Sequence, residues 1–439
     1  MRRIRLIRGM GFFDALMLGI GFIIGSGIFI MPLIAAEAAG TYSLVGWLLG
    51  GVYSILAGLA FSEAAAKLPQ AGGLYTYTHK AFGDFAGFFA GWTFWIGYWI
   101  TIATEQEALG LYLSFLLPQI SLFVRATIGV LTGLVLAYYN FKGVKIGAKI
   151  GDFFTVGKLL AIAIFVIGAL LFFKVSNLFP LFPSNITVGV PTLNQLVPAI
   201  GSATVLALWA YLGVEIITVP DEEIKNAKKT VPRAIVIAVL TVTAIYLLVT
   251  TAFLGSVRWT GYVGSQSPLA DVFAAITNSP IAGLVITVGG IISILGSLNA
   301  VILATSRIAF SMSRDGLFPK VFSKIHPRYN TPYAALALQT VFAIILMYTV
   351  NNFVALASLA VFFTIVPYAL SSFATFKLIR NEGGKLSVLH WKGTPIVAGI
   401  ASVVLILVYL SQTLVLEIAA IMLFFGLLVF IERKRIRRL

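Results

Sequence analysis

Cysteine is absent from the 439 residues, which excludes disulfides and thiolate-held metals. Charge is scarce, at 11% of residues. Histidine occurs three times, at positions 79, 326 and 390, all in or near proposed connections. There is no H-E-x-x-H spacing and no nucleophile constellation, so nothing points to an enzyme and no cofactor or metal is expected. The pore-lining charge rings and filter loops of channels are not evident either. Long polar stretches are missing too: the longest connections are about 174–195, 221–232 and 314–331, too short to hold a separate soluble domain. One domain over 1–439 is expected.

What remains is apolar. Hydrophobic residues make up 59% of the chain, and the mean hydropathy is +0.98. That composition belongs to a polytopic, all-α membrane protein. Twelve spans are predicted, at about 11–39, 42–66, 85–117, 125–141, 150–173, 196–218, 234–256, 281–312, 333–350, 353–378, 394–411 and 414–431. With the N-terminus inside, 27 of the 31 Lys and Arg fall on the inner side. Only Arg125, Lys174 and Arg258 lie outside, and Lys158 falls within a span. The bias follows the positive-inside rule and explains the net charge of +15 as a topology signal rather than a nucleic-acid surface. Both termini are expected in the cytoplasm, and the basic start reads as leading into a retained first span, not a cleaved signal. Trp47, Trp92, Trp259 and Trp391 fall near span ends, where interfacial tryptophan is common. Asn185-Ile-Thr187 is a formal glycosylation acceptor.

The first apolar run is too long. From 11 to 39 it would measure roughly 43 Å as one straight helix, against a bilayer core of about 30 Å. At its centre stands Gly21-Phe-Ile-Ile-Gly25-Ser26-Gly27. Either the helix stops and restarts there, or Gly21 and Gly25 form a small-xxx-small packing face. The sixth span has a similar interruption: Trp209-Ala210-Tyr211-Leu-Gly213-Val-Glu215 runs into Pro220 and Asp221-Glu222-Glu223. Interrupted spans at matching places in two five-span halves indicate inverted repeats, here about 11–173 and 196–378, with peripheral helices over about 394–431.

Four segments resemble the amino acid–polyamine–organocation transporter superfamily. They are Ile24-Gly-Ser-Gly-Ile-Phe29 with Pro32; Phe61-Ser-Glu63 through Gly72-Gly73-Leu-Tyr75-Thr-Tyr77 to Gly83; Trp209 to Glu215, then Glu222 to Asn226 and Val231 to Ile235; and Ser306-Arg307 through Gly316-Leu-Phe-Pro319 to Pro332. The resemblance implies a five-plus-five inverted repeat with two peripheral helices, the first and sixth being broken. It also implies an amino acid held between those breaks. The substrate carboxylate would meet N–H groups of Gly25, Ser26 and Gly27, at the positive end of a restarted helix. Its ammonium would meet carbonyls around Trp209, Ala210 and Tyr211. Ile24 and Gly213 complete the set at the breaks, Trp209 takes the place of an aromatic gate, and Tyr246 that of a tyrosine near the substrate.

Lys158 either snorkels to the cytoplasmic edge or occupies the interior. The resemblance places it where sodium sits in sodium-coupled relatives, close to the Gly21 carbonyl and Ser293. Glu105 and Glu107 lie on different faces of the third span. Glu105 is the candidate for a substrate or coupling role; pairing with polar neighbours is the alternative for either. Arg314–Pro319 and Asp221–Asn226 are read as cytoplasmic turns.

The expected activity is secondary active transport of amino acids across the cytoplasmic membrane by alternating access, sodium-independent, as proton symport or exchange. The alternatives are a polyamine or cationic amino acid antiporter, toward which 209–215 leans, and a nutrient sensor with the same fold. The segment around Lys158 leans instead toward neutral amino acid exchangers and symporters. Expected partners are the amino acid, the proton and membrane lipids; no oligomeric state is read from the sequence.

Overall fold

A computed structural model describes residues 10–68, 72–142, 144–183, 191–218, 224–409 and 412–438, with only the backbone described at 144–152 and 436–438. The basic start, 69–71, the acceptor at 185–187 and the acidic run 221–223 lie outside the described residues.

Apolar runs of this length satisfy their own backbone only as helices, and the named elements among the described residues are all helices, with one isolated bridge between Met10 and Ile224. The first run divides into α1 (Phe12–Ile23) and α2 (Gly27–Ala39), followed by α3 (Ser43–Lys67), α4 (Leu74–Phe82) and α5 (Asp84–Leu113). Then come α6 (Leu122–Lys142), α7 (Val144–Leu171), α8 (Leu193–Tyr211) and α9 (Ala227–Ser256). The last part holds α10 (Pro268–Thr277), α11 (Pro280–Arg314), α12 (Tyr333–Thr349), α13 (Phe353–Asn381), α14 (Thr394–Val408) and α15 (Thr413–Arg438). Among the described residues, nine helical stretches are long and apolar enough to cross a membrane, one of them, Gly27–Lys67, holding both α2 and α3. α4 and α10 are short helices in the connections between predicted spans.

Bare backbone lets the central helices approach closely. A Cβ on Gly46 of α3 would lie 2.9 Å from the Thr204 backbone nitrogen of α8, and one on Gly58 would lie 3.0 Å from Ile235 of α9. At its other end α3 holds the α13–α14 connection. The buried Glu63 carboxylate accepts backbone N–H bonds from Ser387 (2.8 Å), Val388 (2.7 Å) and Leu389 (3.1 Å). Lys67 adds a bond of 2.7 Å to Glu382.

Two details go beyond the sequence reading. The tryptophans near the span ends are not free to face headgroups alike: Trp391 is 61% exposed, but Trp92 and Trp259 are buried, and Trp47 is wholly enclosed against Tyr211 and Tyr246. Indole rings this large fill gaps between packed helices as readily as they seek headgroups. Arg125 is not in a loop. It lies in the first turn of α6, buried, and donates to Glu107 at 2.6 Å and to Gln266 at 3.3 Å. Burial of both charges together avoids leaving either one unpaired.

Candidate binding site between two broken helices

α1 ends where Ile24 leaves helical geometry, at φ −77° and ψ 89°. The Gly25 N–H turns back to the Ile23 carbonyl at 3.0 Å, and α2 begins at Gly27. In the sixth span α8 ends at Tyr211. Gly213 then takes φ +109°, a left-handed conformation that only glycine adopts without strain, and a short 3-10 turn covers Val214–Thr218. A side chain at Gly213 would also strike the Phe22 ring. The second break thus falls after Tyr211, so Trp209, Ala210 and Tyr211 are the last helical residues before it.

The two breaks touch. A Cβ on Gly27 would lie 2.6 Å from the Ala210 Cα, so only glycine lets the start of α2 pack on the end of α8. Two side chains bridge the same junction. The Trp209 indole N–H donates to the Ser26 hydroxyl at 3.2 Å. The Tyr246 hydroxyl stands 2.9 Å from the Ile23 carbonyl and 2.8 Å from the Ala210 carbonyl, one on each broken span.

The carbonyls freed by the first break meet a cation. Lys158 is fully buried, and its Nζ donates to the Gly21 and Ile24 carbonyls at 2.6 Å each. The Ser293 hydroxyl reaches the Ile24 and Gly25 carbonyls at 3.2 and 3.0 Å. Lys158, Gly21 and Ser293 are therefore gathered at one point, and the lysine points inward rather than to the membrane edge. Sodium sites are built from such carbonyl and hydroxyl oxygens; here an ammonium holds them.

On the other side of the break lies Glu105 of α5. Its Oε1 accepts from the Ser26 N–H at 3.4 Å, and its Oε2 has no hydrogen-bond partner. Glu107 faces away, toward Arg125. Phe22, Ile23, Gly25, Gly27, Tyr98, Thr101, Glu105, Trp209, Leu212 and Ser297 line a small cavity of about 20 Å³, room for a water molecule, so an amino acid enters only when the surrounding helices part. Its walls are mostly apolar with a few convergent polar groups, the usual character of a small-molecule site.

Sequence reasoning missed the layer beside this cavity. Glu215 is fully buried, and its two carboxylate oxygens accept the hydroxyls of Tyr98 from α5 and Tyr368 from α13. Tyr368 also packs edge-on against Phe61 of α3, with ring centroids 4.8 Å apart. A carboxylate inside a span was the available signal, but nothing in the sequence names tyrosines more than a hundred residues away as its partners.

The sequence model described as amino acid permease matches residues 10–431. This chain belongs to the amino acid permease family. That family lies within the amino acid–polyamine–organocation superfamily, and the permease, with its several apolar spans, is a multi-pass membrane protein. It is 32% identical over 383 residues to the serine/threonine exchanger SteT of Bacillus subtilis, covering 86% of this chain and 84% of that one. It is 25% identical to the branched-chain amino acid permease BcaP of the same organism, over 90% of this chain and 86% of the relative. It is also 29% identical to the human large neutral amino acids transporter small subunit 2, over 80% and 67%. The permease family and these transporters agree with a site built for a small solute.

Proposed function

We propose that this permease carries α-amino acids across the cytoplasmic membrane by alternating access, without sodium. The observation that carries this reading is the meeting of two broken helices, with the Lys158 ammonium on the carbonyls of the first. The head of α2 offers N–H groups and a positive dipole end to a carboxylate, and the end of α8 offers the opposite polarity to an ammonium. The backbone at the two breaks thus meets both charges of a zwitterion. Lys158 supplies the positive charge that sodium would otherwise bring, so transport proceeds by proton symport or by exchange of one amino acid for another.

In this reading α1 with α2, and α8 with the turn after it, are the first and sixth of twelve spans. The remaining ten are α3, α5, α6, α7, α9 and α11 to α15. Residues 11–173 and 196–378 form the inverted repeats, the last two spans are peripheral, and both termini face the cytoplasm. Ile24, Gly25, Ser26, Gly27, Glu105, Trp209, Ala210, Tyr211, Gly213 and Tyr246 form the substrate site; Lys158, Gly21 and Ser293 form the coupling site. The Gly25 N–H is already engaged by Ile23, so Ser26 and Gly27 carry most of the carboxylate recognition.

Uptake into proteoliposomes with a panel of amino acids and polyamines tests this. The expected result is uptake of at least one α-amino acid, driven by a proton gradient or by preloaded amino acid and indifferent to sodium. Stimulation by sodium alone overturns the role given to Lys158. Binding without flux makes the protein a sensor, and preference for polyamines moves it to the antiporter reading.

A further inference from the structure

The N–H groups at the first break are not waiting empty. Glu105 Oε1 rests on the Ser26 N–H. It also sits against the bare Gly25 backbone, where a Cβ would lie 2.6 Å from that oxygen. The side chain is 4% exposed, so the carboxylate is held away from bulk water. Its other oxygen has no partner, although a buried carboxylate normally fills its acceptor positions. The head of α2 is therefore covered by the protein's own carboxylate, at the place the Proposed function assigns to the substrate's. Both cannot take the Ser26 N–H at once.

We propose that Glu105 is a placeholder for the substrate carboxylate: it caps the head of α2 in the empty site and turns to the substrate ammonium when an amino acid binds. The proposal rests on the reading of the site as one for α-amino acids. It balances charge at both stages. Before binding, Glu105 is held at the Ser26 N–H, at the dipole end of α2. After binding, the substrate carboxylate takes the N–H groups, and the substrate ammonium takes the displaced Glu105. Specificity follows from the swap. A carboxylic acid without an amine would displace Glu105 and leave it buried beside a second anion. The amine is thereby made obligatory, because the displaced Glu105 needs it, in addition to the carbonyl end of α8.

The test uses the full-length protein in lipid nanodiscs. Binding is measured for the best-transported α-amino acid and for its des-amino analogue, the same side chain on a plain carboxylic acid. The wild type is expected to bind the amino acid and reject the analogue. Glu105→Gln is expected to weaken the amino acid and tighten the analogue, each by about tenfold or more, the scale of one charge-assisted hydrogen bond. A packing role for Glu105 predicts the same change for both ligands, and that result overturns the proposal. If Glu105→Gln binds neither, Glu105→Asp decides: recovered discrimination supports the placeholder, and its absence refutes it. A wild type that binds no amino acid overturns the Proposed function together with this inference. A wild type that binds the amino acid and its des-amino analogue equally overturns the placeholder alone.

Discussion

Replacing Tyr246 by Phe removes one oxygen from the junction of the two broken spans and leaves its surroundings in place. The ring is fully buried against Trp47 and Tyr211, at centroid distances of 5.4 and 5.1 Å, and Phe keeps those contacts. The hydroxyl spans the Ile23 and Ala210 carbonyls at 2.9 and 2.8 Å. The Ile23 carbonyl retains the Gly25 N–H after the change; the Ala210 carbonyl, at the mouth of the second break, loses this donor. An acceptor stranded in a buried site costs about 1–3 kcal/mol, which corresponds to about 5- to 150-fold in a binding or transport constant. Because the lost bond ties α8 to the end of α1, the cost should appear in substrate affinity and turnover more than in folding. Initial uptake rates over a range of substrate concentrations, with a thermal melt in detergent as control, measure both. Uptake within twofold of wild type would refute the account of Tyr246 as a bridge between the breaks.

Other substitutions probe separate parts of the site. Lys158→Ala strips the cation from two carbonyls and should abolish uptake; a wild-type rate with unchanged pH dependence would remove Lys158 from the mechanism. Gly27→Ala places a methyl 2.6 Å from the Ala210 backbone, and because backbone cannot swing aside as a side chain can, transport should be lost even where the protein still inserts, as judged by membrane yield against flux. Arg125→Met leaves Glu107 as an unpaired buried charge and should cost about 3–5 kcal/mol of stability. The melting temperature should recover in part when Glu107→Gln is added, and no recovery would argue against the pair as the source of the loss.

The sequence exposed the first break because two independent signals coincide there: a run longer than the membrane and three small residues at its middle. The second was legible from Gly213, whose backbone conformation no other residue takes easily. Lys158 drew attention because a lysine inside a span has to be answered by something. The contacts that close the site were not legible in this way. Glu107 and Arg125 meet across the turn between α5 and α6, and Glu215 gathers tyrosines from two other helices. Such pairings depend on helix rotation and depth, which hydropathy does not report. Trp47 shows the same limit: its position near the start of α3 suggested a headgroup anchor, while helix packing turned it inward beneath Tyr246. The prior claim of Glu105 on the Ser26 N–H is likewise a three-dimensional fact, since 79 residues separate the two.

The Glu63 carboxylate, with its three backbone donors, gives the α13–α14 connection a second use. Residues 387–389 cannot drift from α3 without breaking bonds to a buried charge, each worth about 1.5–3 kcal/mol. The loop is therefore a handle on α3 that reaches the surface. Since the chain has no cysteine, one cysteine placed at the exposed Lys385 would accept a single dye. Its fluorescence would report any movement of α3 during transport without touching a residue that lines the cavity.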